Sequence, residues 1–192
     1  MAEGMRIPGA TYRLQLHEDF GFEAAARALP YLARLGISEL YLSPIFKAAP
    51  DSRHGYDVLD HDELNPEFGG ARAFQGLVAA AKSCGMGLLV DFVPNHMGVG
   101  CAGNRFWDDV LEHGQSSVHA SYFDIDWEPP KETLAHKLLL PILPEQYGLS
   151  LENGHFRLCF EGDALRLRAG ARLLPLRPKS LGRVLGLSLI HI

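Results

Sequence analysis

The stretch LLVDFVPNHMGVG, residues 88–100, decides how this chain is read. An apolar run enters Asp91, passes through Phe-Val-Pro, and ends on Asn95, His96 and glycines. Short apolar runs bounded by turn residues are the mark of a parallel strand covered by helices. The acid, the amide and the imidazole then arrive where that strand ends. In parallel α/β architectures the loops after the C-terminal strand ends converge and carry function. The stretch therefore points to a fold class and to a place in the fold.

Working upstream, Phe74, Leu77, Val78 and Ala81 make a helical stripe that Gly85 closes. Before it lies a long polar loop, and before that the mostly apolar ISELYL, residues 37–42. Phe22, Ala25, Ala26, Leu29, Leu32 and Ala33 form an earlier helical stripe closed by Gly36, with Pro30 expected to kink or divide it. TYRLQL, residues 11–16, alternates as a strand does. Residues 11–92 thus read β-α-β-α-β, the signature of a parallel sheet.

Downstream of about residue 99 the rhythm changes. Asn104 is placed to cap a short helix that Gly114 stops. YFDIDW and KLLLPIL read as isolated strands, and FRLCF (156–160) with LRLR (165–168) as a hairpin turning at Gly162. We therefore expect residues 1–98 to form one portion and 99–192 a mixed α+β segment inserted after the third strand. The tail LGLSLIHI is apolar and uncapped, as if the chain were cut short there.

Composition narrows the function. With 192 residues and 47% hydrophobic content the chain can bury a sizeable core, as one domain or part of a larger one. A formal net charge of -5, with scattered charges, leaves no basic footprint for nucleic acid or an anionic membrane. Cys84, Cys101 and Cys159 are an odd set without close pairing, which argues against a disulfide framework or a zinc site and for a reducing cytoplasm. The N-terminus lacks an apolar signal core, and no apolar run approaches the roughly 20 residues of a membrane span. A soluble protein with a neutral substrate such as a sugar fits these totals.

The polar residues gather at the predicted strand ends: His17 after the first strand, residues 52–60 after the second, and Asp91, Asn95 and His96 after the third. Taken singly each has a plain reading. Asp91 can be a structural partner for an arginine or for loop amides, Asn95 a turn residue and His96 a loop donor. Taken together, HGYD (residues 54–57) and DFVPNH (residues 91–96) share one rim. Tyr56 offers a face for a pyranose ring and Asp57 a carboxylate for its hydroxyls. Asp124, Asp126 and Glu128 lack the glycine turn and spacing of a calcium loop and read as a solvated loop. NPEFGG contains no phosphate-binding fingerprint, and Trp107 and Trp127 read equally as core or as sugar platforms.

DFVPNH resembles the first conserved region of the α-amylase superfamily, and HGYD is similar to that superfamily's motif after the second strand. The longer stretches TYRLQL, YLSPIF, SRHGYDVLDHDELNPEFGG, FWDDVLEHGQSSVHASYFDIDW and LLLPILPEQYG resemble, more narrowly, the N-terminal part of the maltooligosyl trehalose synthase family. The resemblance covers residues 11–180 and implies the first three strands of a (β/α)8 TIM barrel, followed by the start of an inserted domain. It implies an intramolecular transglycosylation that turns the reducing-end α-1,4 bond of a maltooligosaccharide into an α,α-1,1 bond.

By that resemblance Tyr56 stacks on glucose, Asp57 and His96 bond its hydroxyls, His54 supports the loop, and Asn95 braces the loop after the third strand. Asp91 is structural, paired with an arginine on a fourth strand. The catalytic carboxylates lie on later strands, so no catalytic residue is expected among these residues, nor any cofactor or metal. The tyrosine-rich segment usual before PLRPKS is replaced by AGARLLP, and nothing after about residue 183 resembles the family. The last ten or so residues are therefore not expected to be native sequence. Three strands cannot close a barrel, so this chain alone is expected to be inactive and to aggregate. A hydrolytic α-amylase or α-glucosidase, and a non-catalytic α-glucan-binding remnant, stand as alternatives.

Overall fold

A computed structural model describes residues 7–99, 103–170 and 172–186. Cys101 and residues 187–192 of the abrupt tail lie outside the described residues. The chain divides into two compact units, Met1–Gly98 and Val99–Ile192.

The first unit is built on three parallel strands, β1 (Thr11–Leu14), β2 (Glu39–Leu42) and, after an intervening pair, β5 (Gly87–Val90), in the order β1-β2-β5. Each strand is two residues shorter than the alternation in the sequence indicates. Helices α1 (Phe22–Arg34) and α2 (Gly70–Ser83) feed β2 and β5. Both helices end as the glycines require. Gly36 takes φ +87° and Gly85 φ +66°, and the next residues, Ile37 and Met86, donate back to the Leu32 and Ala81 carbonyls at 3.1 and 2.9 Å. That is the Schellman closure, which needs a left-handed residue that glycine adopts without strain. It turns the chain directly into the next strand.

Three expectations are corrected here. Pro30 does not divide the first helix, because α1 runs unbroken through it. Pro30 lies on the exposed side, where water can serve the carbonyl that loses its N–H partner. The long polar loop after β2 contains an antiparallel pair, β3 (Phe46–Ala48) and β4 (Val58–Leu64), with register shifts on both sides of Lys47. β4 reads VLDHDEL, so its surface polarity hides its strand character. Third, the apolar run of β5 is not covered: Leu89 is 40% and Val90 37% exposed, and among the described residues β5 is an edge of the sheet, as expected of the third of three strands.

The core lies on one face of the sheet. Leu40 and Leu42 of β2 point into it with Leu16, Phe22, Leu29, Leu32, Phe68, Leu77 and Ala81. Val78, grouped with this stripe in the sequence, is 41% exposed. Phe22 meets Phe68 and Phe74 edge-on, with ring centroids 5.9 and 5.2 Å apart. Beyond β1 the backbone N–H of buried Leu16 donates to Ser43 Oγ at 2.8 Å, tying the ends of β1 and β2 together. Arg13, Tyr41 and Leu89 are partners across the three strands, in one row on the face opposite the Leu40 and Leu42 side chains.

In the second unit α3 (Arg105–His113) starts on Asn104, whose Oδ1 accepts the Trp107 N–H at 3.0 Å, and stops at Gly114 with φ +63°. The hairpin forms as β6 (Phe156–Glu161) and β7 (Ala164–Ala169). A third antiparallel strand, β8 (Arg172–Pro175), joins it, and helices α4 (Tyr147–Glu152) and α5 (Pro178–Val184) flank the sheet in sequence. The strands expected at YFDIDW and KLLLPIL are absent among the described residues. Short 3-10 turns at Ala120–Tyr122 and Glu132–Leu134 interrupt irregular chain there. Pro129, Pro130, Pro141 and Pro144 each remove a ladder donor from that region.

The open alternatives for the two tryptophans are answered differently. Trp107 packs against Phe123 with centroids 4.9 Å apart, whereas Trp127 borders a cavity of about 590 Å³ with Val110, Leu140, Leu167 and Leu174. Asp124, Asp126 and Glu128 are exposed, and Asp126 Oδ1 accepts the Glu128 N–H at 3.0 Å in a local turn.

Candidate functional site

The C-terminal ends of the three parallel strands bring together the end of β1, the loop between β3 and β4, and the segment that follows β5. Each arrives with a polar load, and local geometry decides how it is presented.

The loop at residues 52–57 is held by its own side chains. Gly55 takes φ +75°, and a Cβ there would lie 3.1 Å from the Pro44 carbonyl oxygen, so a larger residue is excluded. Ser52 Oγ accepts the Gly55 N–H at 3.1 Å and donates to the Asp57 carboxylate. His54 Nδ1 accepts the Tyr56 N–H at 3.0 Å, which puts the ring proton of neutral His54 on Nε2. The His54 and Tyr56 rings stack with centroids 6.0 Å apart and 22° between planes. The loop is thereby set before any ligand arrives.

Tyr56 is fixed at its other end by the strands. Its hydroxyl donates to the carboxylate of Asp91, the residue that follows β5. Arg13 on β1 stands with Nη2 3.4 Å from the same hydroxyl and 3.8 Å from Asp91 Oδ2. The bond to the Asp91 carboxylate, reinforced by burial, raises the phenol above its usual 10.0, with the Arg13 guanidinium acting in the opposite direction. Tyr56 is therefore a neutral phenol at physiological pH.

The segment after β5 is laid along this loop. His96 Nε2 stands 2.9 Å from the Tyr56 carbonyl oxygen, an acceptor, so that nitrogen carries the proton. His96 Nδ1 is 3.2 Å from Asn95 Oδ1. Gly98 N–H donates to the Val58 carbonyl at 2.8 Å. A Cβ on Gly98 would meet the Asp57 carbonyl oxygen at 2.9 Å and Leu59 Cδ2 at 3.1 Å. We expect Gly98→Ala to push this segment off the Asp57 backbone and weaken ligand binding about tenfold or more, an effect a ligand titration would read directly. A clash with backbone is relieved only by moving the chain.

The structure thus brings His54, Tyr56, Asp57, Asp91, Asn95 and His96 to one place. His17 is apart from them: it closes its own turn with Phe20 and lines a separate cleft of about 550 Å³ with Asp19, Asp51, Arg53 and Glu67. The cation beside Asp91 among the described residues is Arg13, from the first strand. Sequence reasoning missed Arg13 and also Gln15, whose Nε2 donates to the Arg53 carbonyl at 3.1 Å. The signal was present in TYRLQL, where alternation puts Arg13 and Gln15 on one face at the end of the strand. No group of three or more His, Cys, Asp or Glu placed to hold a metal ion occurs among the described residues.

Chemically, the site offers an aromatic ring, two carboxylates, imidazole edges and a guanidinium within one patch. An alternation of apolar face and directed donors and acceptors suits a polyhydroxylated ring rather than a phosphate or an apolar molecule.

A family model described as Alpha amylase, catalytic domain, matches residues 23–149. A putative maltooligosyl trehalose synthase of Mycobacterium tuberculosis (strain H37Rv) is 44% identical over 177 residues, covering 89% of this chain and 22% of the relative. The intracellular maltogenic amylase of Bacillus subtilis (strain 168) is 38% identical over 97 residues, 50% of this chain and 16% of that protein. Among solved structures, maltooligosyltrehalose synthase from Arthrobacter ramosus matches with a TM-score of 0.80 and 41% identity, over 90% of this chain and 22% of that one. The chain spans about 22% of the length of the curated synthase relatives it matches.

Proposed function

The chain belongs to the α-amylase family, and from that premise we propose that it forms the N-terminal part of a maltooligosyl trehalose synthase. In this reading residues 1–98 are the first three-stranded portion of a (β/α)8 catalytic barrel and residues 99–192 begin a domain inserted after the third strand. The enzyme cleaves the reducing-end α-1,4 bond of a maltooligosaccharide and remakes it as α,α-1,1. It acts in the cytoplasm and needs no cofactor.

One observation supports the choice of synthase over hydrolase: the likeness to the synthase covers 89% of the chain at 44% identity, whereas the maltogenic amylases are matched over 50% and 62% of it at 38% and 32%.

The geometry supports the following roles. Tyr56 presents its ring to the glucose at the cleavage point. Asp57 has one carboxylate oxygen engaged by Ser52 and would turn the other to a sugar hydroxyl. His96 would bond a glucose hydroxyl, its ring set by the contacts of Nε2 with the Tyr56 carbonyl and of Nδ1 with Asn95 Oδ1. His54 supports the loop by accepting the Tyr56 N–H. Asp91 acts through Tyr56 as a structural anchor. Retaining transfer needs a nucleophile and an acid/base carboxyl about 5 Å apart, and these are supplied by later strands of the longer enzyme.

The test is product analysis of the full-length protein with maltohexaose. Loss of reducing ends without release of glucose or maltose is expected. A rise in reducing ends with free glucose or maltose would overturn the reading in favour of a hydrolase.

A further inference from the structure

We infer that Arg13 and Gln15, at the end of β1, are positioning residues that hold Tyr56 for the sugar. The inference rests on the synthase reading for its activity readout and on the geometry of the first unit for everything else.

Four contacts act on Arg13. Nη1 donates to Gln15 Oε1 at 2.9 Å, Nη2 approaches the Tyr56 hydroxyl at 3.4 Å and Asp91 Oδ2 at 3.8 Å, and the guanidinium carbon lies 5.6 Å from the centre of the Tyr41 ring. Its neighbours on β1 and β2 set its direction before a ligand arrives, as preorganised sites require. Gln15 completes the arrangement by using the other end of its amide. Oε1 holds Arg13, and Nε2 donates to the Arg53 carbonyl, one residue before the HGYD motif.

Tyr56 is thus held at both ends. Its backbone N–H and carbonyl are engaged by His54 and His96, and its hydroxyl by Asp91 and Arg13. A ring clamped at its root and at its tip has only its face left to offer, and little rotamer freedom left to lose when sugar binds. Asp91 alone fixes the hydroxyl along one direction. Arg13 supplies the second direction and a positive charge beside the Asp91 carboxylate. Neither residue touches the reacting bond in this account.

The role makes its own kinetic signature. In the full-length protein, Arg13→Ala is expected to raise KM for maltohexaose about tenfold, the scale of one lost charge-assisted hydrogen bond, with kcat within about twofold of wild type. Arg13→Lys recovers only part of the loss, because an ammonium on a flexible stem cannot bridge Gln15, Tyr56 and Asp91 together. Millimolar guanidinium added to the alanine variant restores KM, and ethylammonium at the same concentration does not. Gln15→Ala raises KM about threefold. A merely structural staple would instead lower the thermal midpoint and leave KM untouched, and that result overturns the inference, as does a raised KM indifferent to guanidinium.

A second measurement does not depend on catalysis. In the full-length protein labelled at tyrosine Cζ, the Tyr56 carbon resonance is identified by its loss in Tyr56→Phe. Arg13→Ala should move its titration to higher pH, since the guanidinium favours the phenolate, and Asp91→Asn should move it lower. A titration unmoved by Arg13→Ala overturns the inference even where the full-length protein proves to be a hydrolase. Wild-type product analysis separates the two ideas: the wrong product removes the synthase reading, whereas unchanged KM and titration in the variants remove the positioning role.

Discussion

Tyr56→Ala in the full-length protein is expected to lower kcat/KM on maltohexaose by a factor of about 10² to 10³. Two losses combine. The ring face is removed, worth about 0.5–1.5 kcal/mol beyond its buried area. The hydroxyl bond to a carboxylate is removed too, worth about 1.5–3 kcal/mol and leaving Asp91 and Arg13 without their shared partner. About 3–4 kcal/mol at 1.36 kcal/mol per decade gives the stated range. Tyr56→Phe keeps the face and loses the bond, so its loss is about 10- to 100-fold. The ratio between the two variants reports stacking alone, and an alanine variant within about threefold of wild type would remove Tyr56 from the site.

The same bond carries a pH signature. The folded-state pKa of Tyr56 is raised above 10.0 because the phenol donates to Asp91. A group with a raised folded pKa contributes stability that is fully present below its unfolded value and is lost as pH rises through its folded value. The stability difference between wild type and Tyr56→Phe is therefore expected to be level through neutral pH and to shrink only above about pH 10. Denaturant midpoints at several pH values measure this.

The second large effect is total. The 192-residue chain by itself is expected to form no trehalose-ended product and to self-associate. β1 and β5 are edges of the parallel sheet, with Tyr12 at 44%, Leu89 at 40% and Phe92 at 54% exposure beside them. In the second unit the β6 edge carries Leu158 at 50% and Phe160 at 73%. Unpaired edges bearing exposed apolar side chains template pairing with another chain. Light scattering on the eluting protein should give masses well above 21.1 kDa. A monodisperse monomer that turns maltohexaose into non-reducing product would refute both halves of the expectation.

How far the sequence could be read depended on the range of the interaction involved. The βαβαβ order was legible because Phe22, Leu29, Leu32 and Leu77 repeat at helical spacing and Gly36 and Gly85 close each helix locally. Asn104 and Gly162 were legible for the same reason. β3 and β4 were not, since their residues become a sheet only by pairing with each other across register shifts. YFDIDW and KLLLPIL misled in the opposite direction, because strand-like composition without a partner strand makes no ladder. Pro30 misled because a helix tolerates the missing donor on a solvated side.

The site divides along the same line. Sequence by itself determined that the segment carrying His54, Tyr56 and Asp57 follows the second parallel strand and that the one carrying Asp91, Asn95 and His96 follows the third, since local patterns set where those strands end. Only the tertiary structure decided that Arg13 meets the hydroxyl of a tyrosine 43 positions on, and that His96 bonds the carbonyl of one 40 positions back. Those meetings follow from the order and register of β1, β2 and β5, which the packing of α1 and α2 against the sheet imposes and no local pattern encodes.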